Sequence, residues 1–378
     1  MNAFDLVPLT FYLIWSMEIS KLWFFEKFII KKFFAPKLKQ KTNFFRLLAV
    51  AQRSGLGLRD ALFSIKNSET SRGLIMIIQD VIDQLTQWST FSQALENHSY
   101  FFKEEEIALV KSSETMGNLP EILEEIAVDL ENSERINWKI KKALAYPIVL
   151  IVFALVAVVI LLIYVIPTIV TMFPNQDQLP NLTKFMMWAS GFLQKTWFLL
   201  ILIVVWCIVG YRFLYKYVLV FKIFIDKLMV KLPVISGVVR TYYMYRFSKL
   251  LSQLYSAWVS PIIALKLMGN TFTNFFYKKK AIEIRENLNA WFSFAESMEW
   301  SSLFDPILVQ IIHVGEDTGN ITEVLKKMAD FYSDMLQTKI DILMDLIQPL
   351  LMAIIAGVIG MIVGAIFLPM ADLVNVIK

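Results

Sequence analysis

Two patterns of apolar residues alternate along this chain. In the first, apolar positions recur every three or four residues between charged ones, as with Ile107, Val110, Leu119, Ile122, Leu123 and Ile126. That period predicts amphipathic helices with one face on a core. In the second, apolar residues occupy every face. Ile148 to Ile166 is a run of 19 residues whose one polar group is the Tyr164 hydroxyl, and Leu350 to Leu368 is a second run of 19. Nineteen helical residues span roughly 28 Å, enough for a hydrocarbon core of about 30 Å. A third run, Trp197 to Tyr211, is flanked by Lys195 and Arg212. It reaches towards Val220 if Arg212 and Lys216 snorkel to headgroups. Strand signals are poor: there is no Asn-Gly hairpin and few β-branched residues alternate. The pattern predicts an all-α integral membrane protein of helical bundles and three transmembrane helices.

The combination of amphipathic segment and apolar run occurs twice. Phe44, Leu47, Leu48, Ala61 and Leu62 fall on Phe247, Leu250, Leu251, Ala264 and Leu265, 203 positions later. "TFSQAL" at 90–95 matches "SFAESM" at 293–298, and Phe102 matches Phe304 with the spacing reduced to 202. Pro147 and Pro167 bracket the first long run as Pro349 and Pro369 bracket the second. The plan read from this is a basic N-terminal segment (1–43), helical domain 1 (44–143) and transmembrane helix 1 (144–167). An extracytoplasmic loop (168–196), transmembrane helix 2 (197–220) and helical domain 2 (221–346) follow, then transmembrane helix 3 (347–369) and a tail (370–378). The middle span returns the chain, so that both domains lie on one side.

Charge sets the orientation. Arg135, Lys139, Lys141 and Lys142 precede the first run, and Arg212, Lys216, Lys222, Lys227 and Lys231 follow the second. Lys184 and Lys195 lie between those two runs, and Lys378 follows the last. Basic residues stay inside, so the N-terminus and both domains are expected in the cytoplasm and the C-terminus outside. In the N-terminal segment, Leu6 to Met17 is too short for a span and no cleavage site follows it. Beyond it, lysines interleave with Trp23, Phe24, Phe25 and Phe28. That suits a helix on the inner membrane surface or one docked on the protein's own core.

The most closely repeated short segment is "KSSETMGNLPEIL" at 111–123, echoed by "HVGEDTGNITEVL" at 313–325. A phosphate loop would need a preceding strand and a Lys after the glycines, but Leu119 and Ile321 follow here. The segments instead read as helix junctions. A helix ends near Glu114 or Glu316, Gly117 or Gly319 supplies a left-handed cap, and Asn118 or Asn320 is the expected N-cap of the next helix.

Composition narrows the chemistry. Apolar residues make up 57% of the 378 positions and charged ones 19%, with a net charge of +4 that gives no reason to expect nucleic acid. One cysteine, Cys207, excludes an intrachain disulfide and a thiolate zinc site. His98 and His313 sit at non-equivalent points of the repeat, and no catalytic or nucleotide motif occurs. No catalytic, cofactor or metal role is assigned. The long runs carry no charged group at depth, against the alternative of a polytopic permease or transporter subunit. Ala356, Gly360 and Gly364 give the last span a small-residue face suited to close helix packing. Glu121, Glu124 and Glu125 open an acidic run in the first domain, a solvated face or a partner surface, where the second has Lys326 and Lys327.

The ordered set resembles the type II secretion F / type IV pilus platform family of inner-membrane proteins. It rests on both Glu-x-x-Gly-Asn segments, "ALAYPIVL" at 143–150, "VIPTIVTMF" at 165–173, "LPNLT" at 179–183 and "QPLLMAIIAGVIGMIVGAIFLPM" at 348–370. It covers about residues 44–372. Ser113, Met116 and Gln348 depart from the family pattern, and the resemblance is to a pilus-type member. The resemblance implies a bacterial inner-membrane protein with no enzymatic activity of its own. It implies contacts with a hexameric assembly ATPase, pilin or pseudopilin subunits, other inner-membrane machine components, the bilayer and further copies of itself.

Overall fold

The computed structural model describes residues 36–170, 180–233, 235–299 and 301–376, and among them every regular element is helical. The basic N-terminal segment before residue 36 and the stretch 171–179 lie outside the described residues. The first half contains α1 (Leu38–Arg53), α2 (Leu58–Ser68), α3 (Arg72–Thr86), α4 (Phe91–Glu96), α5 (Glu104–Met116) and α6 (Leu119–Ile160). A π-helical turn, Leu161–Val165, leads into α7 (Ile166–Val170). Then come α8 (Asn181–Tyr217) and α9 (Leu219–Lys231). The second half is α10 (Ile235–Ser256), α11 (Pro261–Thr271), α12 (Phe275–Asn289), α13 (Phe294–Glu299), α14 (Pro306–Asp317) and α15 (Ile321–Val376). Helices α10 to α15 repeat α1 to α6 one for one.

Two compact units form, and they sort like with like rather than following the repeat. Unit one joins the two amphipathic segments, and unit two takes 137–245, 274–276 and 331 onward. In unit one, α1 to α5 and the start of α6 form one lobe, and most of the second amphipathic segment forms the other. The first lobe buries Phe44, Phe45, Leu48, Leu62, Leu74, Ile77, Phe91, Leu95, Phe102 and Leu123. Rings Phe44 and Phe102 lie 5.8 Å apart in lobe one, and their counterparts Phe247 and Phe304 lie 4.8 Å apart in lobe two. One position breaks the pattern. Leu47 is exposed, whereas its counterpart Leu250 is buried in a crevice lined also by Leu109, Ile126 and Leu130 of the first lobe.

Among the described residues, two helices are long and apolar enough to cross a membrane, within Leu119–Thr168 and Ile321–Leu368. Only 6% and 11% of their most apolar windows are buried inside the chain. A soluble core helix would be covered by its own protein, so these apolar faces require something else to cover them. The expected middle span falls mostly within α8.

The prolines that bracket the apolar runs do not interrupt the helices. α6 runs through Pro147, and α15 runs through both Pro349 and Pro369. One missing donor in a helix of 42 residues, and two in one of 56, leave the remaining ladder intact. The stretch 168–196, expected as a loop, is helical from Asn181. Its polar residues Thr183 and Ser190 are buried rather than facing water.

Lobe one holds a buried ion pair. Lys41 and Glu106 are both buried and in contact, and the Lys41 ammonium also donates to the Phe101 carbonyl at 2.7 Å. Burial lowers the Lys41 pKa and raises that of Glu106, with the partner's opposite charge resisting in each case. At the equivalent positions the second copy of the repeat has Met244 and Leu308, each buried. Each position therefore accepts an apolar residue. Lys41→Met or Glu106→Leu alone strands a buried charge and is expected to cost about 3–5 kcal/mol, while the double substitution should be neutral or stabilising. Denaturant unfolding of the detergent-solubilised chain checks this; a double variant as unstable as the two costs summed would contradict it.

Candidate functional site

The duplicated Glu-Gly-Asn segments are built around a remote helix cap. Glu114 lies on α5 and accepts the backbone N–H groups of Phe91 and Ser92 at 2.6 and 3.2 Å, 23 and 22 residues back. Glu316 on α14 accepts from Phe294 and Ala295 at 2.7 and 3.0 Å. These are the first N–H groups of the six-residue helices α4 and α13, which have no intrahelical acceptor. A carboxylate there also meets the positive end of the helix dipole. Thr90 with Gln93, and Ser293 with Glu296, close the same two helix starts as reciprocal capping boxes.

Gly117 and Gly319 take the left-handed conformation, φ +75° and +68°, where the chain turns into α6 and α15. A side chain on Gly315 would meet the Ile321 backbone at 3.1 Å, so α14 approaches the start of α15 closely. Ser113, its counterpart, is buried and donates to the Val110 carbonyl at 2.7 Å. The asparagines do not cap as expected. The Asn118 side-chain oxygen is buried without a hydrogen bond, and the Asn320 side-chain amide donates to Glu323 at 2.8 Å. Thr90-x-x-Gln93 and Ser293-x-x-Glu296 were the legible capping signals.

The two lobes meet through an unsymmetrical polar surface. Glu105, buried on α5, accepts from Arg246 at 2.9 Å and from the Thr271 hydroxyl. Asp129 lies 3.6 Å from the same guanidinium, and Glu104 accepts from Asn270 at 2.8 Å. Burial pushes the Glu105 pKa up, but Arg246, Lys103 and the Thr271 bond outweigh it and hold it below the usual carboxylate range. Where the first copy of the repeat has Glu105 and Asp129, the second has Ile307 and Phe331. The first domain's acidic run is thus partly consumed inside the chain. Glu124 pairs with Arg46, which also binds Glu131 at 2.9 Å, and Glu125 lies near Lys249 and Lys326. Burial still raises the Glu125 pKa against those lysines, and Glu121 stays exposed. His98 is buried, 2.6 Å from Asp80, while His313 is exposed beside Asp317.

In unit two the same need appears at carbonyls. Pro167 can donate neither to Ile163, four residues back, nor to Leu162, five back. The Ser190 hydroxyl donates to the Leu162 carbonyl at 2.6 Å, and the Gln194 amide approaches Ile163 at 3.4 Å. Pro369 likewise leaves the Ala365 carbonyl free, and Thr183 donates to it at 2.8 Å. The first half of α8 thus carries the donors for both proline-bearing ends. Leu162, Ile166, Met186, Ile362 and Ala365 form the apolar core beside these bonds. A side chain on Gly364 would meet Leu182 at 3.3 Å, whereas Ala356, Gly357 and Gly360 face outward from the chain. Asp226 accepts the Phe275 N–H at the start of α12 at 2.8 Å. Lys139 pairs with Asp341 at 2.7 Å. These two positions are equivalents under the repeat, as a twofold relation between α6 and α15 in this unit would produce.

The family model described as "Type II secretion system (T2SS), protein F" matches residues 44–167 and 247–369, in register with the internal repeat. Curated relatives agree along most of the chain. The type IV pilus assembly protein PilC of Pseudomonas aeruginosa is 28% identical over 337 residues, covering 88% of this chain and 90% of the relative. The type II secretion system protein F of Vibrio cholerae is 29% identical over 302 residues, covering 79% and 73%. The type IV pilus assembly protein PilC of Thermus thermophilus is 28% identical over 348 residues, covering 91% and 84%.

If the carboxylates are caps, Glu114→Gln and Glu316→Gln should each destabilise by about 1–2 kcal/mol, with near-additive effects in the double variant. Denaturant midpoints measure this. An unchanged midpoint in both single variants would show the repeated glutamates to be idle in the fold.

Proposed function

Because the chain belongs to the type II secretion system protein F family, we propose that it is the inner-membrane platform of a type IV pilus or type II secretion machine. In this reading it couples a cytoplasmic assembly ATPase to the polymerisation of pilin or pseudopilin. The observation that carries it is the double family match, each copy comprising one amphipathic lobe and one long apolar helix. The middle crossing, 197–220, brings the number of spans to three, and it keeps both lobes on the cytoplasmic side with the C-terminus outside. The pairing of the lobes in one unit fits a single mechanical body that receives motion from a motor. The spans pass that motion to a subunit held in the bilayer. The outward small face at Ala356 and Gly360 is offered to a second copy or to such a subunit.

Glu124 and Glu125 serve the lobes' own packing in this account, so the motor contact lies elsewhere on unit one. Purification of the tagged chain from gently solubilised membranes tests the proposal. It predicts recovery of a hexameric ATPase together with pilin or pseudopilin. Recovery of a solute-binding protein, with neither of those present, would refute it.

A further inference from the structure

Among the described residues of unit one, five helix ends close with the same turn. Leu56 donates to Ala51, Ser89 to Gln84, Val259 to Leu254, Phe292 to Asn287 and Asn320 to Gly315, each an N–H reaching five residues back. The residue before each donor is left-handed, the place glycine normally takes in this type of cap. Glycine takes it twice, Gly55 at φ +79° and Gly319 at +68°, and tryptophan takes it three times: Trp88 at +65°, Trp258 at +55° and Trp291 at +67°. A bulky residue is strained there. Nothing lies within 4 Å of a side chain built on Gly55, the counterpart of Trp258, so the turn itself asks for no indole.

The indoles are not buried in return. Trp88 and Trp291 are each 96% exposed and Trp258 is 78% exposed. Trp88 and Trp291 are also equivalents under the repeat, 203 positions apart. One strained and uncovered aromatic ring could be an accident of one turn, but a matched pair on duplicated lobes is a feature. Strain of this kind persists where it serves function.

We propose that Trp88 and Trp291 are paired docking knobs for a soluble protein oligomer of identical subunits that offers the same indole-sized apolar pocket more than once. Buried tryptophan is a typical anchor of protein interfaces. Two equal knobs on a duplicated body fit two equal pockets on neighbouring subunits of one ring. The turns themselves argue against lipid. Residues 83–90 and 287–296 contain no Lys or Arg, and they carry Asp83 and Glu296. Surface anchors for anionic lipid combine aromatics with basic residues. The inference deepens the proposed function and rests on it, because the oligomer meant is the assembly ATPase.

The test uses the full chain in nanodiscs, the purified ATPase hexamer as probe, and the variants Trp88→Gly, Trp291→Gly and the pair. Glycine suits the left-handed turn, so thermal stability should hold or rise. Binding should fall by at least about tenfold in the double variant, with the two single variants alike. Wild-type binding that the double variant keeps overturns this inference alone. So does binding loss accompanied by a lower unfolding temperature, which would make the indoles structural. Tryptophan quenching by brominated lipid that the double variant abolishes would assign the knobs to the bilayer. A change of oligomeric mass would assign them to a second copy of this chain, and either result also overturns the inference. A wild-type chain that binds no ATPase overturns the proposed function and this inference with it.

Discussion

A peptide group taken out of water must find a hydrogen-bond partner, and this chain meets that requirement with side chains carried from distant segments. Leaving a buried donor or acceptor unpaired costs about 1–3 kcal/mol, more than a typical bond contributes. Helix starts leave N–H groups bare and prolines leave carbonyls bare. Glu114, Glu316 and Asp226 answer the first need, and Ser190 and Thr183 answer the second. Each bond fixes where one helix lies against another. That is how a chain of short amphipathic helices, with little regular geometry to hold them, acquires defined lobes.

Duplication explains why the short motif is written twice, and divergence explains what each lobe adds. The carboxylate cap and the glycine turn are the same in both copies. The ion pair Lys41–Glu106 is not, since Met244 and Leu308 fill those places. Nor is the lobe contact, where acids on one side meet Arg246, Asn270 and Thr271 on the other. An unsymmetrical contact joins two similar bodies in one register only, as a platform with a single working orientation requires. The matched tryptophans, by contrast, are exposed in both copies.

Much of this was legible from residue pattern. The long apolar runs, the repeat and its spacing, and the glycines of the Glu-Gly segments all report local chemistry. The carboxylate caps were not legible, because Glu114 acts on a helix start 23 residues away and only tertiary packing brings them together. The acidic run read as surface because its partners, Arg46 on α1 and Arg246 in the other lobe, are remote in sequence. The chain alone does not reveal that Ser190 and Thr183 serve the carbonyls that two of the bracketing prolines leave free. The left-handed tryptophans gave no signal, since propensity would place glycine there.

The most direct test is a double-mutant cycle between Ser190 and Pro167. If Ser190 serves the carbonyl that the proline leaves free, Ser190→Ala should cost about 1 kcal/mol in the parent chain. It should cost close to nothing in a Pro167→Ala background, where the helix ladder supplies the bond itself. Unfolding of the detergent-solubilised chain gives both values. An equal cost in the two backgrounds would contradict the claim that freed backbone groups dictate these side chains.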